Sequence, residues 1–332
     1  MKNAHFSYIG MKSFPQRPKN QSMQNDQNFD LNEHTYLIDD GLAAAVEVAL
    51  DLNLPLLVTG KPGTGKTKLA SYVAKQQGCE LLEFYTKTSS KAKDLFYKYN
   101  ALSHFRDSRN PESAVNTMGY ISFESLGKAI LNSSGRRSVV LIDEIDKAPR
   151  DFPNDVLFEF EHLAFKIEEA TAEESASWAK KNKWELPPDD QGFFRYDKSS
   201  GNRPILILTS NSEKNLPDAF MRRCVYYHIE FPGPDRLRDI VSANLQLSDN
   251  FKENMLDHAI QHFIDVRNSG IKKQPATAEL IAWIHLLNQK NIDLRAGLSE
   301  GDDGPLKKQI ENTYVVLAKN YEDRVRLLDD LK

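Results

Sequence analysis

The octet Gly60-Lys61-Pro62-Gly63-Thr64-Gly65-Lys66-Thr67 constrains this chain more than any other stretch. It fits the phosphate-cradling pattern G-x-x-x-x-G-K-[ST] in every required position. Its glycines let backbone N–H groups close on phosphate oxygens, where a Cβ would intrude. In that pattern Lys66 sets a cation between the β and γ phosphates, and Thr67 offers its hydroxyl to Mg²⁺. The flanks suit the chemistry. Residues 54–59 are an apolar run of strand length, and residues 67–74 open as a helix. Strand, glycine loop, helix is the order that aims a helix N-terminus at the phosphates. Gly60, Lys61, Pro62, Gly63, Thr64, Gly65, Lys66, Thr67 and Lys68 are therefore the candidate nucleotide-holding residues.

A chain of 332 residues has ample material for a core and holds one large or two ordinary domains. Apolar residues make up 40% and charged residues 27%, an ordinary balance for a soluble protein. The net charge of −4 and pI near 6.1 give no global pull toward nucleic acid or an anionic membrane surface. No apolar run approaches membrane-spanning length, and the N-terminus lacks the apolar core of a signal peptide. Cys79 and Cys224 lie far apart and suggest no disulfide framework, so a cytoplasmic protein is expected.

Residues 1–32 are polar, rich in Asn and Gln, and read as a flexible N-terminal segment. Leu42, Ala45, Val46, Ala49 and Leu50 follow helical spacing, with Asp39 or Asp40 as N-cap. Residues 80–85 read as a second strand. Residues 91–120 show no strong period and read as an insertion; 123–131 suits a helix. The β-branched run 138–142 fits a strand buried on both faces of a parallel sheet. Residues 153–165 look helical. A turn signal at 198–202 suggests a hairpin over 192–208, ending in the buried strand 204–209. Another strand spans 225–231. After Pro232-Gly233-Pro234 four or five helices are expected, with apolar stripes Leu256/Ala259/Ile260/Phe263/Ile264 and Leu280/Trp283/Ile284/Leu287. The fold class is α/β: a parallel sheet with flanking helices over residues 33–233, then a small all-α domain over 234–332.

Three further signals carry chemistry. Asp143 and Glu144 follow the strand 138–142, at the end where open α/β sheets place ligands. Asp143 is the candidate Mg²⁺ carboxylate, usually acting through water, with Thr67 beside it. Glu144 is placed to orient or deprotonate an attacking water. Asn211 ends the strand 204–209, and an amide there can hold that water or a γ-phosphate oxygen without adding charge. Arg222 and Arg223 close residues 216–223. A guanidinium beside a terminal phosphate lowers transition-state charge and can come from a neighbouring subunit.

The order of these motifs resembles the AAA+ ATPases, most closely the MoxR-type branch, over residues 33 to about 290. Residues 36–40, with Ile38, resemble the segment lining the adenine pocket. Gly60 to Thr67 matches Walker A. Residues 141–148 match Walker B. Asn211 fits sensor 1, and residues 216–223 fit the arginine-finger segment, with Arg223 favoured as the finger. The resemblance implies a P-loop NTPase fold with a helical lid, binding of ATP and Mg²⁺, and ATP hydrolysis at the subunit interfaces of a ring, usually a hexamer. It further implies chaperone-like maturation of a protein client, often with a partner carrying a von Willebrand factor A domain. No membrane is implied, and nucleic acid is disfavoured by the acidic pI. Residues 88–109 resemble the branch's helix-2 insert, and 192–208 its pre-sensor-1 insertion. The family's sensor 2 arginine is missing: residues 272–280 read Lys272-Lys273-Gln274-Pro275-Ala276-Thr277-Ala278-Glu279-Leu280. Lys272 or Lys273 stands in only as a point charge. The alternatives are a nucleic-acid-directed motor, an McrB-like GTPase subunit, and a slow nucleotide switch that binds a partner.

Overall fold

The computed structural model describes residues 35–109, 116–212, 216–299 and 304–329. The flexible segment expected over residues 1–32 lies outside the described residues.

Five strands build the central sheet: β1 (Leu56–Gly60), β2 (Glu80–Tyr85), β5 (Ser138–Asp143), β8 (Ile205–Ser210) and β9 (Val225–Ile229). Their order is β2-β5-β8-β1-β9, and every pairing is parallel. The three inner strands are buried along their whole length, and this is why 56–60, 138–143 and 205–210 read as continuous apolar runs. The two edge strands are only partly buried.

Helix Lys66–Gln77 buries Leu69, Ala70, Val73 and Ala74, one face at helical spacing, against the sheet. Helix Asp40–Leu52 is capped by Asp39, whose Oδ1 accepts from Leu42 N at 2.8 Å. Tyr227 of β9 donates its hydroxyl to the same oxygen at 2.7 Å and thereby ties the start of this helix to the sheet edge.

The structure differs from the sequence expectations in both insertions and in the helical segments beside them. The described parts of the first insertion, residues 91–109 and 116–123, carry regular structure: β3 (Tyr97–Tyr99) pairs antiparallel with β4 (Ile121–Phe123), and helix Ala101–Ser108 lies between them in sequence. The expected helix over 123–131 accordingly starts only at Ser125. The helical reading of 153–165 is interrupted by Leu163, in the left-handed region at φ 45°, and followed by β6 (Ala164–Lys166). The hairpin expected over 192–208 does not form. Instead, β7 (Phe193–Arg195) pairs with β6. Both hydrogen-bonding edges of β8 are taken, by β5 and by β1, so β7 has no edge of β8 to use.

The two insertions share one aromatic cluster. Phe123 lies 5.1 Å from Trp184 and 6.1 Å from each of Trp178, Phe165 and Phe194, by ring centroids. These side chains extend the core formed by Leu57, Val140, Ile142, Leu206 and Leu208. A second buried cluster, centred on Leu237, Phe263, Trp283, Ile284 and Tyr314, belongs to the C-terminal helices. Seven helices follow β9 among the described residues, more than the four or five expected, because several are under ten residues and carry too little period to register. No helix among the described residues is long and apolar enough to cross a membrane.

Candidate nucleotide site

A parallel sheet brings all strand C-termini to one edge, and the register decides which residues meet there. Thr59 faces Ser210, Gly60 faces Ile229, and Asp143 faces Tyr85. The loops after β1, β5 and β8 therefore open side by side, at the edge where open α/β sheets hold ligands. A cavity of about 1000 Å³ lies against them. Its walls include Ile38, residues 62–68, Asp143, Glu144 and Asn211; Thr277, Ala278 and Ile281 of the C-terminal helices complete it.

The phosphate loop is built around conformations that side chains resist. Gly63 (φ +77°) and Gly65 (φ +89°) both lie in the left-handed region. A Cβ at Gly63 would overlap the Cβ of Ala276, and one at Gly65 would come within 3.0 Å of the Tyr36 ring. Lys66 is buried, 7% exposed, with Nζ donating to Gly60 O at 2.8 Å and Lys61 O at 3.0 Å. Burial lowers its pKa, and Asp143, Asp146 and Glu144 oppose that shift in turn.

Thr67 Oγ1 donates to Asp143 Oδ1 at 3.1 Å and to Oδ2 at 3.2 Å. A hydroxyl and a carboxylate held together are hard oxygen donors, the set Mg²⁺ takes alongside phosphate and water. The donor chemistry thus fits Mg²⁺. Among the described residues no cluster of three His, Cys, Asp or Glu forms an all-protein metal cage. Thr209, a residue the sequence reading assigned no role, links the acidic pair. Its Oγ1 donates to Asp143 Oδ1 at 2.5 Å and accepts from Glu144 N at 2.9 Å.

Glu144 is one of five non-glycine residues with positive φ among the described residues, at φ 54°. That turn swings its carboxylate out of the strand, where Lys147 Nζ pairs with Oε2 and Asn211 Nδ2 donates to Oε1 at 3.4 Å. The Glu144 carboxylate, as a hydrogen-bond acceptor, holds the Lys147 pKa above its usual value. Asn211 N also donates to Asp146 Oδ1 at 3.3 Å.

Lys66, Thr67, Asp143, Glu144 and Asn211 thus converge, with Lys68 and Ile38 along the cavity wall. Gly60 and Lys61 reach the site through the carbonyls that hold Lys66. Arg222 and Arg223 do not converge with them. Both are exposed and neither lines the cavity. Arg223 Nε pairs with Glu161 Oε1 at 2.5 Å, and its Nη1 donates to Ala219 O at 3.0 Å. Neither Lys272 nor Lys273 lines the cavity; Lys272 pairs with Glu322.

Tyr36 packs on Gly65, with its ring 5.5 Å from Tyr72. Burial pushes its phenol pKa up, Asp39 adds to the rise, and Arg236 opposes it. Nothing in the sequence marks Arg236, because a charged residue in the first turn of a helix is ordinarily solvated.

Comparison with known proteins agrees with this architecture. No curated protein matches the chain. Among solved structures, the Thermotoga maritima RuvB Holliday junction branch migration motor is 15% identical, over 86% of this chain and 69% of its own, with a TM-score of 0.41. A single-substitution form of that motor is 16% identical over the same shares, with a TM-score of 0.39. Likeness at that level carries no argument about this chain. The family model is a different matter. The model for the ATPase family associated with various cellular activities (AAA) matches residues 56–232, from the first residue of β1 through the segment after β9. With the parallel sheet, the phosphate loop and the acidic strand end all inside that span, the chain belongs to the AAA family of ATPases.

Proposed function

We propose that this protein is a Mg²⁺-dependent ATPase of the MoxR type, hydrolysing ATP between the subunits of a ring to remodel or mature a protein client. The observation that carries the reading is the convergence of Lys66, Thr67, Asp143, Glu144 and Asn211 at one end of a single cavity.

In this reading Lys66 leaves the carbonyls of Gly60 and Lys61 and turns to the β and γ phosphates. Burial lowers its pKa, and the carboxylates of Asp143, Asp146 and Glu144 oppose that shift. Thr67 and Asp143 hold Mg²⁺, which screens phosphate charge when bound. Glu144 orients the attacking water and takes its proton, and Asn211 fixes the position of that water. Thr209 keeps the Asp143 and Glu144 segments in fixed relation. Arg223 acts in trans. Its exposure, and its distance in the fold from its own cavity, support use by a neighbouring subunit; the pair with Glu161 then opens on assembly.

The proposed division is an α/β nucleotide-binding domain over residues 33–233 and a helical lid over 234–332. The lid contacts the phosphate loop directly, through Ala276 against Gly63. A protein with a von Willebrand factor A domain is the proposed partner class. The −4 net charge lends no support to a nucleic-acid-directed motor.

The test is ATPase rate against protein concentration, with particle mass followed in parallel. A specific rate that climbs as a ring forms supports the reading. A rate independent of concentration, from a monomer, sinks the trans mechanism. Glu144→Gln is expected to bind ATP and lose about 100-fold or more in turnover, the scale of general-base catalysis.

A further inference from the structure

We infer that Arg236 is a phosphate-contacting residue of this cavity, its guanidinium directed at the oxyanions of a bound nucleotide. This rests on the nucleotide-binding reading above and adds to it a residue outside the expected motifs.

Arg236 sits in the first turn of helix Pro234–Asn244. It precedes Ile240 by four residues and Asn244 by eight, and all three line the cavity, as a single helix face should. That face is short of hydrogen-bond partners. Arg236 Nη2 is shut off from solvent and has no partner. Asn244 Oδ1 is in the same state. The orientation of the Asn244 amide follows from its bonds, since Nδ2 donates to Ile240 O at 2.8 Å and to Thr35 O at 3.2 Å. Among the described residues six buried side-chain N or O atoms lack a partner, and two of them lie on this one face. Buried polar groups are rarely left unmet unless something else completes them.

The two unmet groups differ in what they ask for. One is a cationic donor, the other a neutral acceptor, and their residues are spaced about 12 Å along the helix axis. The fold sets which end faces the phosphates. Asn244 is bound to the Thr35 carbonyl. The segment leading into Arg236 leaves β9 at Ile229, which is in register with Gly60, the first residue of the phosphate loop. Arg236 also acts on the phenol of Tyr36, whose ring packs on Gly65. The guanidinium is thus on the phosphate-loop side. Two other cations of the C-terminal segment, Lys272 and Arg267, are engaged elsewhere. Lys272 pairs with Glu322, while Arg267 donates to Pro275 O and stacks 3.4 Å over Phe231. A guanidinium presents a planar fork of donors suited to phosphate oxygens. The position that lacks the sensor 2 arginine does not supply one.

The experiment compares wild-type full-length protein with Arg236→Gln and Arg236→Lys, measuring affinity for ATP, ADP and adenosine by calorimetry or ligand-detected NMR, and melting temperature with and without ATP. Arg236→Gln is expected to lose roughly 10- to 100-fold in ATP affinity, the scale of a lost charged hydrogen bond. Adenosine affinity should hold within about twofold, and Arg236→Lys should recover part of the loss. Without nucleotide, Arg236→Gln should melt no lower than wild type, because the unmet group is gone. ATP affinity unchanged in Arg236→Gln overturns the inference alone. An equal loss for adenosine and ATP also overturns it, by assigning the residue to structure or to the base. Wild-type protein that binds no ATP overturns the nucleotide reading and this inference together.

Discussion

Thr209 Oγ1 donates to Asp143 Oδ1 at 2.5 Å while accepting the backbone N–H of Glu144 at 2.9 Å. One hydroxyl on β8 therefore holds both Asp143, the last residue of β5, and Glu144, which follows it. Thr209 is fully buried, so nothing replaces the hydroxyl when it is removed. Thr209→Val keeps the shape, leaves Asp143 Oδ1 with Thr67 alone of its two hydroxyl donors, and strands the Glu144 N–H. The expected cost is about 1–3 kcal/mol in unfolding free energy. Turnover should fall with it, and the Mg²⁺ concentration for half-maximal rate should rise. Denaturant melts and a Mg²⁺ titration of ATPase rate check both. A variant that behaves as wild type in both would remove Thr209 from the site's scaffold.

Gly63 separates two effects within one residue. Its φ of +77° is costly for any side chain, and a Cβ would run into Ala276 at the start of helix Thr277–Gln289. Gly63→Ala should lose about 1–3 kcal/mol from backbone strain, and should push that helix away from the loop. ATP affinity measured with the melt reports whether the loop survives. Full stability and full affinity would contradict the contact.

Arg223 and Glu161 form an exposed pair, with side chains 46% and 48% accessible. Such pairs contribute about 0–1 kcal/mol. Arg223→Ala should leave the melting temperature of the isolated chain nearly unchanged. Hydrolysis by assembled protein should fall about 1000-fold, the scale measured for arginine fingers. Mixing the variant with a Glu144→Gln chain is the sharper check, since each supplies the group the other lacks. Activity recovered on mixing would support contact across a boundary; activity retained by Arg223→Ala alone would refute it.

Cys224 follows the Arg223 turn and is half-buried. Burial pushes its thiol up to about 12 from the ordinary 9.0. The folded state therefore holds the proton more tightly than the unfolded chain does. The associated stability is fully present below pH 9.0 and is lost as pH rises toward about 12. Native protein at pH 8 should react slowly with a thiol reagent at this site and readily after unfolding. Rapid native-state modification of Cys224, located by mass spectrometry, would contradict that environment.

The sequence by itself determined the sheet's inner strands, the phosphate loop and the acidic strand end. Strands buried on both faces read as unbroken apolar runs, and a glycine loop between strand and helix admits few folds. Both are local signals, complete within a few residues. Tertiary structure decided the rest, because it depends on which edges and which cavities remain open. The partner of β7 is β6, since both edges of β8 are filled. Thr209 acquires its link to Asp143 and Glu144 only through the parallel register of β5 and β8. Arg236 reads as one more charge on a helix until the fold closes a cavity around it and leaves one of its nitrogens without water or partner. A pattern along the chain records what a residue prefers; whether that preference is met is settled by neighbours far away in sequence.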